Sequence, residues 1–334
     1  SHGIECVGNY PIEQVMRVLV TGATSMIGAC TVQELLRRGH EVHAMQRGES
    51  ELSVKVFRGD IRDSDVVSAA IHGCDVVIHA AAKVGLVGSF QEFFSTNVTG
   101  TENIMNAAAD AGCRGVVYVS SPSVSYSTTP VEGAVSPPAI DDVMGHYSRT
   151  KSIAERAVLN DHRLPTVALR PHLVWGPGDT QLVGRIVERA QQGRLVLVNK
   201  GNAVVDSTYI DNVADALVAA AERIGVQENL DGKALVVSNG EPRTVARLVE
   251  SICTAAGVAY APRSVRLQAA VILGSIIETV FKLRPHSEPP LTKFTAYQLG
   301  ISHWFDISET TELLEWAPRI SLDEGFTRLA NSYG

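Results

Sequence analysis

The stretch from Met16 to Gly28, MRVLVTGATSMIG, decides the fold of this chain. Residues 17–21 are mostly apolar, as in a buried strand, and an amphipathic helical run follows over residues 29–38. Gly22 allows a sharp turn at the end of the strand, and Gly28 allows the helix to pack closely on it. Because the first amides of such a helix point at a pyrophosphate, we predict a dinucleotide-binding corner.

One position of this corner departs from a known pattern. The spacing Thr-Gly-x-x-x-x-x-Gly resembles the TGxxGxxG fingerprint of short-chain dehydrogenases/reductases, but Ser25 stands in place of the middle glycine. A serine allows less close approach of the backbone to phosphates. Taken alone, the corner therefore also fits a glycine-rich turn that binds nothing. The resemblance implies that the cofactor contacts the following residues of the corner: Thr21, Gly22, Thr24, Ser25, Met26, Ile27 and Gly28.

The composition is that of an ordinary globular protein. With 334 residues, 45% of them hydrophobic and 19% charged, the chain is long enough for a large α/β domain and a smaller lobe. A net charge of −7 without any basic run argues against a nucleic-acid partner. The five cysteines are scattered and form no C-x-x-C pair, so neither a disulfide framework nor a metal site is predicted. We expect a cytoplasmic protein.

The order of the predicted elements indicates a Rossmann-type, doubly wound parallel sheet followed by a smaller C-terminal α+β lobe for the substrate. We expect the dinucleotide-binding domain over residues 16–180, with interleaved elements from about 203–240, and a mainly substrate-binding lobe over residues 181–334. Residues 1–15 do not begin with Met and are expected to be an N-terminal extension, in part a cloning remnant.

The end of the second predicted strand, residues 41–45, indicates which dinucleotide binds. In NAD enzymes an acidic residue there hydrogen-bonds the ribose 2′-hydroxyl, whereas arginine suits a 2′-phosphate. Here the pair is Gln46-Arg47. We therefore predict NADP(H) in preference to NAD(H), with Arg47 contacting the phosphate. The alternative is that Arg47 is an ordinary solvated side chain.

Polar or small residues follow predicted strands 55–58 and 75–79. Short-chain dehydrogenases contact adenine after the first of these strands, and small residues after the second leave room for the cofactor. His79 ends the second strand beside three alanines, so we expect it to pack rather than to catalyse. The resemblance implies further cofactor contacts at Asp60, Ile61, Ala80 and Ala81.

Tyr147 and Lys151 lie four residues apart at the start of a predicted helix and so share one face. A free phenol has a pKa of about 10. A nearby ammonium and an oxidised nicotinamide favour the phenolate, which would bring Tyr147 toward the range of a general acid/base. Ser121 follows the preceding strand and would hydrogen-bond the substrate oxygen. Ser120 and Ser123 are alternatives, because the serine cluster blurs the alignment.

The whole order of these motifs, followed by LRPHLVWGPGD over residues 169–179, resembles the extended short-chain dehydrogenase/reductase family across essentially the full chain. The resemblance assigns the family's serine, tyrosine and lysine roles to Ser121, Tyr147 and Lys151. It also implies that Lys151 holds the nicotinamide ribose.

The same resemblance implies three further features. Asn97, in an N-x-x-G-T element, would support the geometry of the active site. Pro171 and Val174 would contact the cofactor. A homodimer would form through the helices that begin near Phe90 and Tyr147.

The last third of the chain favours an apolar substrate. Enzymes acting on nucleotide sugars often hold the diphosphate with an arginine near residues 203–206, which here read Ala-Val-Val-Asp. A helical run, Val265 to Leu283, is rich in aliphatic residues but is too short and interrupted to span a membrane. We predict either a core helix or a lid over a lipid-like substrate, with Ile276 on its inner face. This run is also a candidate for peripheral membrane contact.

Segments 287–294, 300–306 and 313–318 are similar to the 3β-hydroxysteroid dehydrogenase-like branch, which includes sterol dehydrogenases and the β-keto acid reductases of bacterial long-chain olefin synthesis. The resemblance implies an NADP-dependent oxidoreductase that interconverts a secondary alcohol and a ketone on a bulky apolar substrate. Two other hypotheses stay open. One is a nucleotide-sugar epimerase or dehydratase with tightly bound NAD, and the other is a non-catalytic dinucleotide sensor or scaffold.

Overall fold

The computed structural model describes residues 15–49, 52–226, 228–281 and 289–333. The predicted extension, apart from Val15, lies outside the described residues. The last two residues of the predicted helix 265–283 and the start of the segment 287–294 also lie outside them.

The described residues alternate between short strands and helices along the chain. The strands are β1 (Arg17–Thr21), β2 (Glu41–Gln46), β3 (Lys55–Arg58), β4 (Val76–His79), β5 (Gly115–Val119), β6 (Val131–Val135), β7 (Thr166–Pro171), β8 (Val174–Trp175), β9 (Val196–Val198), β10 (Val204–Val205), β11 (Thr208–Tyr209), β12 (Lys233–Val237), β13 (Arg243–Thr244), β14 (Arg263–Val265) and β15 (His303–Asp306). The α-helices are α1 (Met26–Arg37), α2 (Ser64–Ile71), α3 (Phe90–Phe94), α4 (Gly100–Asp110), α5 (His146–Leu159), α6 (Val183–Gln191), α7 (Ile210–Arg223), α8 (Val245–Ala255), α9 (Leu267–Phe281), α10 (Lys293–Gly300), α11 (Ser308–Leu314) and α12 (Leu322–Asn331).

Seven strands form a parallel sheet in the order β12-β7-β5-β4-β1-β2-β3. All residues of β4, β5 and β7 are buried, because helices cover both faces of the sheet. Helices α1 and α7 pack on one face, and α2, α4 and α5 on the other. The strand order reverses between β1 and β4, and a dinucleotide binds outside the carboxyl ends of strands at such a point. The predicted doubly wound sheet is confirmed.

A smaller lobe stands beside the carboxyl edge of this sheet. Its four-stranded sheet has the order β13-β10-β15-β6, so strand β6 joins it from the first half of the chain. Its apolar core lies around Trp175, whose ring stacks on Phe326 at 4.3 Å between centroids. Strand β12 returns to the large sheet beside β7.

Helix α9 packs against α10 with its small residues. Ala270 and Gly274 are buried, and a Cβ on Gly274 would lie 2.6 Å from the carbonyl carbon of Thr292, so only glycine permits this approach. The opposite face of α9 is apolar and at least half exposed, and it consists of Ile272, Leu273, Ile276 and Val280. The prediction that Ile276 faces an inner pocket is therefore wrong.

The helical segment that begins at Phe90 is interrupted. Residues Ser95–Thr99 form a π-helical turn between α3 and α4. Turns of this kind are frequent at functional sites, and this one carries Asn97, which is buried.

The start of α7 also differs from the sequence-based expectation. Asp and Asn are preferred at helix N-caps, so Asp211 or Asn212 would be expected to cap this helix, but it begins at Ile210 after Tyr209, which makes no side-chain cap hydrogen bond. Asn212 is buried inside the helix and accepts hydrogen bonds from the amides of Arg319 and Ile320. The side chain of Asn212 therefore binds backbone amides more than a hundred positions away along the chain and does not cap its own helix.

Candidate active site

The glycine corner has the close approaches that a phosphate-binding turn needs. Gly22 has a φ of +70°, and a Cβ there would lie 2.9 Å from the Cα and the amide nitrogen of Ala81. A Cβ on Gly28 would lie 2.3 Å from the carbonyl oxygen of Gly22. Because both positions exclude any side chain, β1, α1 and the segment after β4 meet as closely as a dinucleotide cradle requires. The residues of this corner therefore fit the predicted cofactor.

Ser25 fills a helix-capping role in place of the missing glycine. Its φ is −71°, which any residue adopts, so the turn does not need glycine here. Its hydroxyl accepts a hydrogen bond from the amide of Gly28 at 3.0 Å and donates one to the carbonyl of Gly22 at 2.8 Å. Thr24 and Ser25 are exposed at the mouth of the corner, and the amides of Met26 and Ile27 belong to the first turn of α1, which has no intrahelical partners to offer them.

A buried hydrogen-bond chain fixes the residues beside this corner. The hydroxyl of Thr21 lies 2.7 Å from His79 Nδ1 and accepts a hydrogen bond from the amide of Ala81 at 3.1 Å. The other ring nitrogen of His79 lies 3.0 Å from the Thr101 hydroxyl, which itself donates to the carbonyl of Asn97. Burial lowers the pKa of His79 to about 3, so the ring is neutral. The predicted packing role of His79 is confirmed.

Asn97 joins three segments with one amide group. Its Oδ1 accepts a hydrogen bond from the amide of Lys83 at 2.7 Å, and its Nδ2 donates to the carbonyl of the same residue at 3.0 Å. Nδ2 also donates to the hydroxyl of Thr150 at 3.0 Å. Thr150 bonds back to the carbonyls of His146 and Tyr147. The π-helical turn is thus tied by hydrogen bonds, through Asn97 and Thr150, to the helical turn that carries Tyr147.

Tyr147 and Ser121 lie together at the carboxyl edge of the sheet. The Ser121 hydroxyl lies near enough to the phenol of Tyr147 to lower its pKa, and Ser121 Oγ lies 2.9 Å from Ser123 Oγ, to which Ser148 donates at 3.0 Å. Ser120 is buried and its hydroxyl makes no hydrogen bond within the described part of the chain. Of the three candidate serines, Ser121 is therefore the one that contacts the tyrosine.

The pKa of Tyr147 moves in the opposite direction from the one predicted. Burial raises the pKa of its phenol to about 12, and the nearby hydroxyl of Ser121 opposes the rise. We expected the ammonium of Lys151 to lower this pKa. The ammonium instead donates to the carbonyl of Val119 at 2.6 Å and lies 3.9 Å from the centroid of the Tyr118 ring.

Lys151 is itself strongly perturbed. It is 2% exposed, and burial lowers the pKa of its ammonium to about 7, although the carboxylate of Glu155 opposes the shift. A lysine that titrates near neutrality beside a tyrosine is the kind of group that proton-transfer sites contain. Sequence reasoning did not predict two residues that lie near it, Tyr118 and Thr150. The position of Thr150 immediately before Lys151 was the available signal.

The predicted adenosine contacts lie around the ends of β2 and β3. Arg47 is exposed just after β2, and the buried Gln46 donates to the carbonyl of Gly48. The carboxylate of Asp60 accepts three hydrogen bonds from Arg62, which hold the pKa of Asp60 below its usual value. Ile61 is buried against Gly100, where a Cβ would lie 2.6 Å away.

Pro171 and Val174 frame a buried pair of imidazoles that sequence reasoning missed. Between these two residues lies His172, whose Nε2 is 2.8 Å from Nδ1 of His303. Burial holds the pKa of His172 well below its usual value. Because the two histidines are 131 positions apart, no local spacing could have indicated the pair.

Aromatic rings lie near the start of α5. Gly145, immediately before α5, has a φ of +86°, and a Cβ there would lie 4.0 Å from the ring of Phe294 on α10. The ring of His146 lies 5.8 Å from that of Phe90. In the part of the chain that the structure describes, no three His, Cys, Asp or Glu side chains come together to hold a metal, and no helix is long and apolar enough to cross a membrane.

Known proteins resemble this chain over nearly its whole length. The model of the 3-beta hydroxysteroid dehydrogenase/isomerase family matches residues 19–268. A 2-alkyl-3-oxoalkanoate reductase of Stenotrophomonas maltophilia is 41% identical, over 95% of this chain and 99% of the relative. A 3 beta-hydroxysteroid dehydrogenase/Delta 5-->4-isomerase of Mycobacterium tuberculosis is 29% identical, over 95% and 90%. Among solved structures, MoeE5 in complex with UDP-glucose and NAD has a TM-score of 0.74 at 24% identity, covering 95% of this chain and 98% of its own.

Proposed function

The chain belongs to the 3-beta hydroxysteroid dehydrogenase/isomerase family and is an NAD(P)-dependent oxidoreductase, and from this premise we propose that it reduces the ketone of a long-chain 3-oxo acid with NADPH. The observation that carries the proposal is that Ser121, Tyr147 and the buried Lys151 come together at the sheet edge behind the glycine corner. The relative with 41% identity, a 2-alkyl-3-oxoalkanoate reductase, favours an oxo acid over a steroid.

The cofactor supplies the hydride, and this chain's residues handle the oxygen and the proton. The Ser121 hydroxyl donates to the ketone oxygen and stabilises the negative charge that develops there. Tyr147 gives its phenolic proton to the same oxygen. Burial keeps the phenol protonated beforehand. Once the proton has left, the ammonium of Lys151, one helical turn away, favours the phenolate that remains. Asn97 keeps the helical turn of Tyr147 in place.

The residues at the end of β2 support NADPH over NADH. Gln46 has no charge to repel a 2′-phosphate, and the positively charged Arg47 is exposed beside it. The pKa of Asp60 is lowered mainly by its hydrogen bonds from Arg62 and, to a smaller extent, by the charge of Arg47, which therefore lies near the predicted adenosine site. We propose that Arg47 contacts the 2′-phosphate.

The alternative nucleotide-sugar reaction has less support in this chain. Residues 203–206 offer no cation for a diphosphate, and Val205 and Asp206 are buried. The epimerase-like solved structures are below 25% identical and so bear on the fold alone.

Two surfaces support interactions beyond the substrate. A groove of about 260 Å³ lies between α4 and α5, with buried apolar residues such as Met105 and Val158 at its floor and the exposed side chains of Glu102, Asn106 and Arg163 at its rim. We propose a homodimer through these helices.

The exposed aliphatic face of α9 supports contact with a lipid surface, since exposure of a contiguous apolar face to water is unfavourable in free energy.

The test is NADPH consumption by the purified protein with a panel of ketones. We expect turnover with 2-alkyl-3-oxo acids, and kcat/KM should rise as the alkyl chain lengthens, because each buried methylene contributes about 0.8 kcal/mol. A series without chain-length dependence, or a preference for UDP-glucose, would discard the lipid substrate and favour the epimerase reaction.

A further inference from the structure

The ammonium of Lys151 has two neighbours that come from one strand. The carbonyl oxygen of Val119 lies 2.6 Å from Nζ, and the centroid of the Tyr118 ring lies 3.9 Å from it. Strand β5, which holds both residues, continues directly into Ser120 and Ser121. A single strand therefore positions both the Ser121 hydroxyl, which is proposed to face the substrate, and the two residues that contact the Lys151 ammonium.

The ring of Tyr118, rather than its hydroxyl, makes the contact. Tyr118 is completely buried, and its hydroxyl forms no hydrogen bond of normal geometry within the described part of the chain. The neighbouring Thr101 hydroxyl is already engaged, since it donates to the carbonyl of Asn97 and faces a ring nitrogen of His79. Removal of the Tyr118 hydroxyl should therefore lower the free energy of unfolding very little, because this hydroxyl is a buried polar group that has no partner to lose.

We propose that Tyr118 is a positioning residue for the reaction: the face of its ring holds the Lys151 ammonium against the Val119 carbonyl and keeps it charged, an inference that rests on the function proposed above. A cation over an aromatic face is attracted most strongly where water is excluded, and Lys151 is buried.

The other charged or titratable groups around Lys151 do not replace the ring. Glu155, on the next turn of α5, favours the ammonium, but it is shared with Arg170 in a buried ion pair. Tyr147, on the preceding turn, is neutral with its raised pKa. His79, on β4, is neutral as well. Loss of the ring would leave the ammonium with the Val119 carbonyl and a carboxylate already committed to an arginine.

The sign of the effect follows from burial. Burial already lowers the pKa of Lys151 to about 7, and the active form carries the ammonium. Without the ring, the ammonium is less stable and is lost at a lower pH. The alkaline limb of the pH profile should therefore move toward acid by about one pH unit, the shift that corresponds to a desolvated cation–π contact.

The experiment compares Tyr118→Phe, which keeps the ring, with Tyr118→Leu, which removes it. In protein labelled with [¹⁵N]lysine, the Nζ resonance of Lys151 is assigned with Lys151→Arg and titrated; kcat/KM for the oxo acid is measured over the same pH range. We expect the Phe variant to titrate like the wild type and the Leu variant to titrate about one unit lower in both measurements. Equal titration of wild type and Leu variant would overturn the proposal, as would an equal shift in both variants.

Two arrangements keep the test decisive. If the Leu variant does not fold, a phenylalanine fluorinated on its ring replaces Tyr118, because fluorine weakens the negative face of the ring with little change of shape; its Lys151 should titrate below that of the Phe variant, and no difference between them would overturn the proposal. The resonance titration does not require turnover. A wild type that reduces no ketone would therefore contradict the proposed function, while the titration still decides the role of Tyr118.

Discussion

Asn97 Nδ2 lies 3.0 Å from the hydroxyl of Thr150, and this contact ties the π-helical turn to the turn that carries Tyr147. Asn97→Ala should lower the free energy of unfolding by about 1–3 kcal/mol, because Lys83 and Thr150 lose a buried partner. It should also lower kcat by up to about 100-fold through misplacement of Tyr147. Denaturant unfolding and steady-state kinetics measure the two effects.

A matched control for that variant lies on the neighbouring helix. Asn103, on α4, donates to the carbonyl of Ile61 at 3.0 Å, so Asn103→Ala also removes an amide hydrogen bond. This variant should lose stability but keep its kcat. An Asn97→Ala enzyme with wild-type kcat would show that the amide serves the fold and not the site.

Tyr147→Phe should abolish turnover and leave NADPH affinity nearly unchanged, because it removes the proton donor without removing a cofactor contact. Lys151→Ala should lose both, since one ammonium serves the phenol and the ribose. Stopped-flow oxidation of NADPH and its fluorescence on binding separate the two quantities. A Tyr147→Phe enzyme that retains more than a few per cent of the wild-type rate would require another general acid.

Arg47→Ala should weaken NADPH binding by about 1.5–3 kcal/mol, the size of a charge-assisted hydrogen bond, and leave NADH binding almost untouched. Arg58→Ala is the control, since Arg58 is also exposed at a strand end but pairs with Glu49. Titration calorimetry with both nucleotides gives the comparison. Equal losses for NADPH and NADH would show that Arg47 does not read the 2′-phosphate.

The double variant Ile272→Asp, Ile276→Asp should abolish binding of the protein to phospholipid vesicles in a flotation assay, because it places two carboxylates in the exposed aliphatic face of α9. Val135→Asp is the control, since Val135 is 47% exposed on strand β6 instead. Turnover of a short, water-soluble oxo acid should not change in either protein. If wild type and double variant float equally, α9 does not contact the lipid.

The elements with strong local signals were predictable from the sequence. The glycine corner and the apolar strands predicted the doubly wound sheet, since buried parallel strands and helix-start glycines have few alternative explanations. The four-residue spacing of Tyr147 and Lys151 placed both in α5. The sequence comparison showed only that Ser25 replaces a glycine of the fingerprint. The structure shows that its hydroxyl caps α1, which explains why a serine fits at this position.

The parts that depend on distant partners were not predictable. The helix α9 is apolar around much of its circumference, so the pattern of its residues does not show which way Ile276 faces. Packing of Ala270 and Gly274 against α10 turns Ile276 toward solvent. Asn212 was expected at a cap because Asn and Asp favour that position, but residues 319–320 bind it. The pKa of Tyr147 was expected to fall because of Lys151. Burial instead raises this pKa, and the Lys151 ammonium donates its hydrogen bond to the carbonyl of Val119.

Transfer of deuterium tests the central claim most directly, namely that this chain reduces a ketone with hydride from NADPH. The protein is incubated with a 2-alkyl-3-oxo acid and NADPH carrying deuterium on one face of C4, and the experiment is repeated with the label on the other face. We predict one deuterium on C3 of the hydroxy acid from one of the two labelled forms, and no labelled product with Tyr147→Phe. Hydroxy acid without deuterium from either form, or no reduction of any oxo acid while UDP-glucose is epimerised, would contradict the account.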